Sequence, residues 1–247
     1  MIEIILHIPH SSTDIPSYDG YIVDKETIKN EVNLLTDWFT DDLFDLPYSK
    51  IITPFSRVFC DVERFHDDSK EIMSRYGMGM CYTHTDNGNL MRMISPELRD
   101  KIKFEFYDQH HTLLKQSISK SLTIFEKVVI IDCHSFPDIP LYRDLNKEMS
   151  RPDFCIGTDE YHTPDSIKQI VKDYLINKGF SVKFNNPYSG TMIPLKYSNK
   201  EKRVIGLMIE INRKLYMDIK KSVIVKSNNY LNIKNLINTL IINILNL

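Results

Sequence analysis

The chain has 247 residues, of which 42% are hydrophobic and 11% aromatic, so we predict a single domain over residues 1–247 with one large core. Basic and acidic residues number 31 and 33, the formal charge is −2, and no long run of either sign occurs. This balance argues against nucleic-acid and membrane-surface partners and favours a small molecule or a peptide. It carries no information on oligomeric state.

Cysteine usage and the N-terminus indicate the compartment. The four cysteines are widely spaced and form no CxxC pair, which is typical of reduced thiols. The first residues, MIEIILHIPHSS, lack a basic region, and His7 interrupts their apolar run, so we expect neither a signal peptide nor a membrane span. The sequence therefore predicts a cytoplasmic protein.

The order of predicted elements favours the α/β class. Apolar runs rich in β-branched residues predict strands over residues 2–8, 50–53, 57–61, 127–133, 180–184 and 204–211. Helical periodicity predicts helices over residues 31–46, 96–120, 164–178 and 229–246. Strands that alternate with helices are typical of a three-layer domain with a mixed, mostly parallel sheet and helices on both faces.

Polar residues that could bind a metal or take part in catalysis lie at or just after the ends of three of the predicted strands. The run VVIIDCHSF presents His134 after an apolar strand, the first strand is followed by His10, and the strand over 204–211 carries Glu210 near its end. In open α/β sheets, ligands bind outside the carboxyl ends of the strands. Two histidines and carboxylates at such ends are typical of a catalytic zinc site, with a further glutamate acting on the attacking water.

Six blocks of the sequence, taken together and in order, resemble the N-formylglutamate amidohydrolase family. They are IPHSS at 8–12, LTDWFTDDLF at 35–44, SRVFCDVERF at 56–65, DCHS at 132–135, IGT at 156–158 and IEINRKLYMD at 209–218. The resemblance implies a zinc-dependent amide hydrolase with a phosphorylase/hydrolase-like fold, related to zinc exopeptidases. It extends over nearly all of the chain up to residue 218.

The resemblance implies roles for individual residues. His10, Asp37 and His134 become the ligands of one zinc ion, and Glu210 becomes the general base. Asp61 and Glu63 remain competitors for the third ligand position. From the residues alone, Asp37 could equally be a negative charge in the first turn of a helix, stabilised by the helix dipole.

Arginines near the predicted strand ends would bind the substrate. A guanidinium holds a carboxylate through two parallel hydrogen bonds. Such a contact would aim the scissile amide of a small carboxylate-bearing substrate at the metal. The predicted substrate-binding residues are Arg57, Arg64, Arg213, Ser135 and Asn212.

Two departures from the family pattern bear on the substrate. Glu63-Arg64 stands where relatives commonly have asparagine before arginine, and the glycine-rich turn is replaced by NPYSGTMIPLKY at 186–197, with Ser189 in place of a glycine. We therefore predict an N-formyl or N-acyl amino acid, such as N-formylglutamate, as the substrate class.

Other interpretations remain open at this stage. The chain could be a cell-wall amidase or a carboxypeptidase-like hydrolase, or a metal-free carboxylate-binding protein of the same fold. Glu210 could be a buried ion-pair partner of Arg213 or Lys196. Asp132 shares its side of the strand with His134; it could pair with an arginine or orient a metal ligand, and we predict the orienting role. His110 and His111 are predicted to face solvent or to pack.

Overall fold

The sheet determines where every site residue lies. The computed structural model describes residues 1–220 and 223–245. A six-stranded sheet has the order β2-β1-β3-β6-β4-β5, in which β4 pairs antiparallel with β6 and the other neighbours are parallel. Its strands are β1 Ile2–Ile8, β2 Ser49–Ile52, β3 Lys127–Phe136, β4 Phe154–Gly157, β5 Val182–Phe184 and β6 Val204–Asn212. A separate hairpin pairs β7 Met217–Lys220 with β8 Val223–Lys226.

Helices cover both faces of this sheet. They are α1 Lys25–Leu35, α2 Thr40–Leu43, α3 Pro96–Ile102, α4 Asp108–Ser121, α5 Asp165–Asn177 and α6 Tyr230–Leu245. Apolar residues of α2, α5 and α6 pack on one face of the sheet, and Leu114 and Ile118 of α4 pack on the other. The predicted three-layer α/β fold with a mixed, mostly parallel sheet is confirmed.

The predicted helix over residues 31–46 is wrong in its middle. Helix α1 ends at Leu35, and α2 begins at Thr40 after Phe39, whose φ of 65° is left-handed. Asp37 lies in this break, where its backbone NH donates to the His10 carbonyl at 2.9 Å. Because Asp37 follows the C-terminus of α1 and precedes α2, it does not occupy the first turn of a helix. A helix dipole therefore does not account for it.

The predicted strand over residues 57–61 is also wrong. Ser56 starts a turn there, because its Oγ accepts from the Val58 NH at 3.2 Å and its carbonyl accepts from the Phe59 NH at 3.0 Å. Such side-chain contacts to the local backbone compete with strand pairing. The turn aims residues 57–64 at the end of β1 instead of along the sheet.

The predicted helix over 96–120 is confirmed, with one irregular turn. Ser95 caps α3 by accepting from the Leu98 NH at 3.2 Å, and Pro96 occupies the first turn. A π-helical turn over Lys103–Tyr107 joins α3 to α4. The C-terminal helix predicted over 229–246 is confirmed as α6, and residue 246 lies outside the described residues. No helix within 1–220 and 223–245 is long and apolar enough to cross a membrane.

Strand register brings the polar residues of three strands together. His7 of β1 pairs with Asp132 of β3, and His134 of β3 pairs with Glu210 of β6. Alternate residues of a strand face the same side, so Asp132 and His134 share the face on which α4 packs. Cys133 belongs to the opposite core, which agrees with the sequence-based argument against a thiol nucleophile.

Candidate active site

Two buried histidines form the centre of the site. His10 is 1% exposed and His134 is 4% exposed, and their ring centroids lie 5.1 Å apart. The Oδ2 atom of Asp37 lies 3.0 Å from Nδ1 of His134 and 3.7 Å from Nδ1 of His10. Nδ1 of His10 is buried and has no hydrogen-bond partner among the described residues. An unpaired buried nitrogen is costly, and a bound cation would remove that cost.

The other nitrogens of the two rings contact carboxylates. Nε2 of His10 lies 2.9 Å from Oδ1 of Asp61, and Nε2 of His134 lies 3.1 Å from Oδ1 of Asp132. Metal-binding histidines usually pair their second nitrogen with a carboxylate, which fixes the tautomer and the orientation of the ring. The pair therefore has the arrangement expected for metal binding through Nδ1. The predicted orienting role of Asp132 is consistent with this contact.

The spacing of the atoms beside Asp37 suits zinc. Ligand atoms bonded at 2.0–2.1 Å in a tetrahedron lie about 3.3 Å apart. The two distances from Asp37 to the imidazoles, 3.0 Å and 3.7 Å, bracket that value. These two carboxylate–imidazole distances thus fit the ion that the sequence predicts.

Glu63 lies on the opposite side of the same rings. Its Oε2 is 3.1 Å from Nε2 of His134 and 3.7 Å from Nε2 of His10, so Glu63 and the two histidines form an alternative ligand set, whose ligand atoms all lie within 4.8 Å of one another. Its Oε1 is 3.6 Å from Nδ1 of His7. However, Nε2 of His10 already contacts Asp61, and Nε2 of His134 already contacts Asp132. Nδ1 of His10, by contrast, has no hydrogen-bond partner among the described residues.

Asp61, the third competitor, has its oxygens occupied. Its Oδ2 accepts from Nη2 of Arg57 at 2.9 Å and from the Tyr82 hydroxyl at 2.7 Å. Its Oδ1 accepts from the Glu63 NH at 3.1 Å and contacts His10. Arg57, His10 and Arg64 hold the pKa of Asp61 well below its usual range in spite of burial. Asp61 therefore orients His10 and anchors Arg57.

Carboxyl groups outnumber guanidiniums around the two histidines. With all five carboxyl groups ionised and the imidazoles neutral, the three guanidiniums leave two negative charges, which one zinc ion would offset. They are Asp37, Asp61, Glu63, Asp132 and Glu210, against Arg57, Arg64 and Arg213. In the metal-free protein, Glu63 and Asp132 raise the pKa of His134 well above its ordinary value, although burial opposes this.

Glu210 is a buried carboxylate with a free oxygen. It is 7% exposed, and its Oε2 has no hydrogen-bond partner among the described residues. Burial raises the pKa of Glu210 to about 8, although His134, Arg57 and Arg213 oppose the shift. Neither Arg213 nor Lys196 contacts it as an ion pair in the described part of the chain, which disfavours the ion-pair interpretation.

Arg64 is the arginine best placed to bind an external group. Its side chain is 27% exposed, and its Nε is buried without a partner among the described residues, 3.6 Å from Asp61. Arg57 is more constrained, since its Nε and Nη2 donate to Asp61. A guanidinium whose donors are largely free can hold a carboxylate.

Three other predicted substrate contacts have their polar groups engaged inside the protein. Arg213 donates Nε to Ser135 Oγ at 3.2 Å, Nη1 to the Leu34 carbonyl at 3.0 Å and Nη2 to Asp37 Oδ1 at 3.0 Å. Asn212 is fully buried, and its Nδ2 donates to Asp138 Oδ1 at 2.8 Å. Substrate binding by Arg213, Ser135 and Asn212 stays a prediction, and their contacts indicate a positioning role.

Sequence reasoning missed a second pair of buried histidines. His7 is fully buried with Nδ1 2.8 Å from Asp132 Oδ1, and its Nε2 lies 2.9 Å from Nε2 of His110. His110 is 6% exposed, so it does not face solvent. The available signal was the position of His7 itself, an ionisable residue inside an otherwise apolar strand.

Comparisons with solved structures show the same fold in two other proteins. An N-formylglutamate amidohydrolase from Ralstonia eutropha JMP134 superposes with a TM-score of 0.83 at 21% identity, over 98% of this chain and 92% of that protein. The gene product Atu2144 from Agrobacterium tumefaciens superposes with a TM-score of 0.67 at 15% identity, over 99% of this chain and 89% of its own. A search of curated proteins finds no match.

The family assignment comes from the sequence comparison. The sequence profile described as N-formylglutamate amidohydrolase matches residues 2–217, which include the six blocks from IPHSS to IEINRKLYMD except for the last residue, Asp218. The resemblance inferred from those blocks is confirmed, and the chain belongs to the N-formylglutamate amidohydrolase family.

Proposed function

We propose that this protein is a zinc-dependent amidohydrolase that cleaves the linear amide of a small N-formyl or N-acyl amino acid, such as N-formylglutamate. Family membership supports hydrolysis of an amide bond. The observation that carries the metal proposal is the unpartnered Nδ1 of His10, which faces Asp37 beside Nδ1 of His134.

We assign one zinc ion to His10, Asp37 and His134. Asp37 is preferred to Glu63 because it lies beside the two Nδ1 atoms, whereas the Nε2 atoms contact Asp61 and Asp132. When bound there, zinc would polarise the amide carbonyl and make water a stronger nucleophile. Arg213 supports the site by fixing the other oxygen of Asp37.

Glu210 is assigned as the general base. In the register of the sheet, Glu210 of β6 pairs with His134 of β3, and its free Oε2 can accept a proton from the attacking water. The same carboxyl then donates that proton to the leaving nitrogen, so the amide C–N bond breaks and an amino acid and a carboxylic acid are released. A buried carboxylate without competing hydrogen bonds is suited to this transfer.

Arg64 is assigned as the main contact of the substrate carboxylate, with Arg57 beside it. Arg57 donates to Asp61, the Nε of Arg64 lies 3.6 Å from the same carboxylate, and Asp61 also contacts His10. The carboxylate is therefore held at a fixed distance from the histidine pair. Positioning of this kind can contribute about 7–11 kcal/mol to lowering a barrier.

The proposal is tested with purified protein that has been stripped with a chelator and then offered zinc. We expect retention of about one zinc per chain and hydrolysis of N-formyl or N-acyl amino acids, measured as release of the free amino group. The stripped protein is the matched control and should be inactive until zinc is restored. A protein that retains no zinc, or zinc-loaded protein that hydrolyses none of these substrates, would refute the proposal.

A further inference from the structure

A chain of buried hydrogen bonds leads from His134 away from the proposed zinc site. Oδ1 of Asp132 lies 3.1 Å from Nε2 of His134 and 2.8 Å from Nδ1 of His7, while its Oδ2 accepts from the Met192 NH at 3.0 Å. Asp132 is 2% exposed. Its orientation therefore depends on those three groups, of which His7 makes the shortest contact.

His7 is itself held by a second histidine. Its Nε2 lies 2.9 Å from Nε2 of His110, and Nδ1 of His110 lies 3.3 Å from the Thr53 hydroxyl. Two facing ring nitrogens make a hydrogen bond only if one donates and the other accepts. A deprotonated carboxylate only accepts, so Nδ1 of His7 is the donor to Asp132.

The helix that carries His110 is fixed to the other side of the site. Tyr107, the last residue of the π-helical turn, donates its hydroxyl to the Arg64 carbonyl at 2.9 Å. Nε2 of His111 lies 2.8 Å from the Val62 carbonyl. The first turns of α4 thus contact the 61–64 loop as well as His7, and π turns commonly occur at functional sites.

We propose that His7 is a positioning residue that acts through Asp132 on His134. By donating to Asp132, it keeps the carboxylate against Nε2 of His134 and so keeps Nδ1 turned toward Asp37. His110 fixes the ring of His7 in turn. This inference rests on the proposed zinc site, and it predicts that loss of one hydrogen-bond donor two contacts away weakens metal binding.

Two substitutions distinguish the role of Nδ1 of His7 from that of Nε2. In His7→Asn the side-chain NH2 can occupy the place of Nδ1 and keep the donor to Asp132, whereas His7→Gln can replace only Nε2. We expect zinc affinity, measured by competition with a chelator, to fall by about 10–100-fold in His7→Gln, as for other residues that orient metal ligands. In His7→Asn it should stay within about threefold of wild type.

A buried histidine outside the site provides the control. His162 is 1% exposed and is also hydrogen-bonded through both ring nitrogens, to the Val204 carbonyl and the Asn199 NH. His162→Gln should lower the melting temperature without changing zinc affinity. Equal zinc affinities in His7→Asn and His7→Gln would overturn the inference, whether both are weakened or both are unchanged.

A second pair of variants, at His110, tests the same inference if a His7 variant does not fold. His110→Gln can retain a polar atom opposite His7, whereas His110→Asn cannot. We expect weaker zinc binding only in His110→Asn, and equal affinities in this pair would contradict the proposed chain. Wild-type protein that binds no zinc would instead refute the proposed function, so the two failures are distinguishable.

Discussion

Replacement of Glu210 by glutamine separates catalysis from metal binding. The substitution keeps the size of the side chain and removes the basic oxygen. Proton transfer by a positioned side chain contributes about 10²–10⁴-fold, so kcat should fall by that factor, which corresponds to about 3–5 kcal/mol in the activation barrier. Zinc content and KM should change little, because Glu210 is not assigned as a ligand or a carboxylate contact.

The same substitution should not destabilise the protein. Glu210 is 7% exposed and its Oε2 makes no hydrogen bond, so the variant loses no observed contact of that atom. Burial raises the pKa of this carboxyl from 4.5 to about 8. Each tenfold change in the acid dissociation constant corresponds to about 1.4 kcal/mol, so keeping Glu210 ionised lowers the free energy of unfolding of the metal-free protein by at most about 5 kcal/mol.

The sign of the pH dependence follows from that raised pKa. Between pH 4.5 and about 8 the folded state binds more protons at Glu210 than the unfolded state, so its contribution to stability is lost as the pH rises. Metal-free Glu210→Gln should therefore gain stability relative to metal-free wild type across this interval. Denaturant unfolding at several pH values in the presence of a chelator measures the difference.

Two results would refute this reasoning about Glu210. Zinc-loaded Glu210→Gln with near-normal kcat would remove the residue from the mechanism. A metal-free variant that unfolds, or is less stable than wild type at high pH, would instead support a structural ion pair in the core.

Further predictions concern the metal and the substrate. His10→Ala or His134→Ala should lose most bound zinc while circular dichroism shows an intact fold, and wild-type metal content in either would contradict the assignment. Asp37→Ala should weaken zinc affinity more than Glu63→Ala, measured by chelator competition; the reverse order would transfer the ligand role to Glu63. Arg64→Ala should raise KM by about tenfold or more, since a hydrogen bond to a charged group is worth about 1.5–3 kcal/mol, and should leave zinc content unchanged.

The sequence predicted which strands carry the candidate site residues because that signal is local, although β3 continues to Phe136 and β6 to Asn212, beyond the predicted ends at 133 and 211. His10, His134 and Glu210 each follow or end an apolar run, and parallel strands deliver such residues to one edge of the sheet. The alternation of side chains also placed Asp132 on the side of His134. Neither inference required knowledge of which strands are neighbours.

Contacts between distant segments could not be predicted in the same way. Whether His7 faces α4 depends on the register of β1 with β3 and on the π-helical turn before α4, and periodicity reveals neither. The break before α2 was missed because Leu34, Leu35, Trp38, Phe39 and Leu43 have helical spacing even though Phe39 is left-handed. Tertiary contacts of Asp37 with His10 and Arg213 override that local preference.

The break in the predicted helix and the end of β6 together determine how Asp37 is presented. Three residues after Glu210, the chain turns so that the three nitrogens of Arg213 bind Ser135, the Leu34 carbonyl and Asp37. The Leu34 contact fixes the end of α1, and the Asp37 contact occupies Oδ1, which leaves Oδ2 facing the two imidazoles. A planar guanidinium can make these contacts at once, whereas a lysine ammonium cannot reproduce the fork. The four residues from Glu210 to Arg213 therefore supply both the proposed base and the group that orients a proposed ligand, which gives a physical reason for their occurrence as one short block.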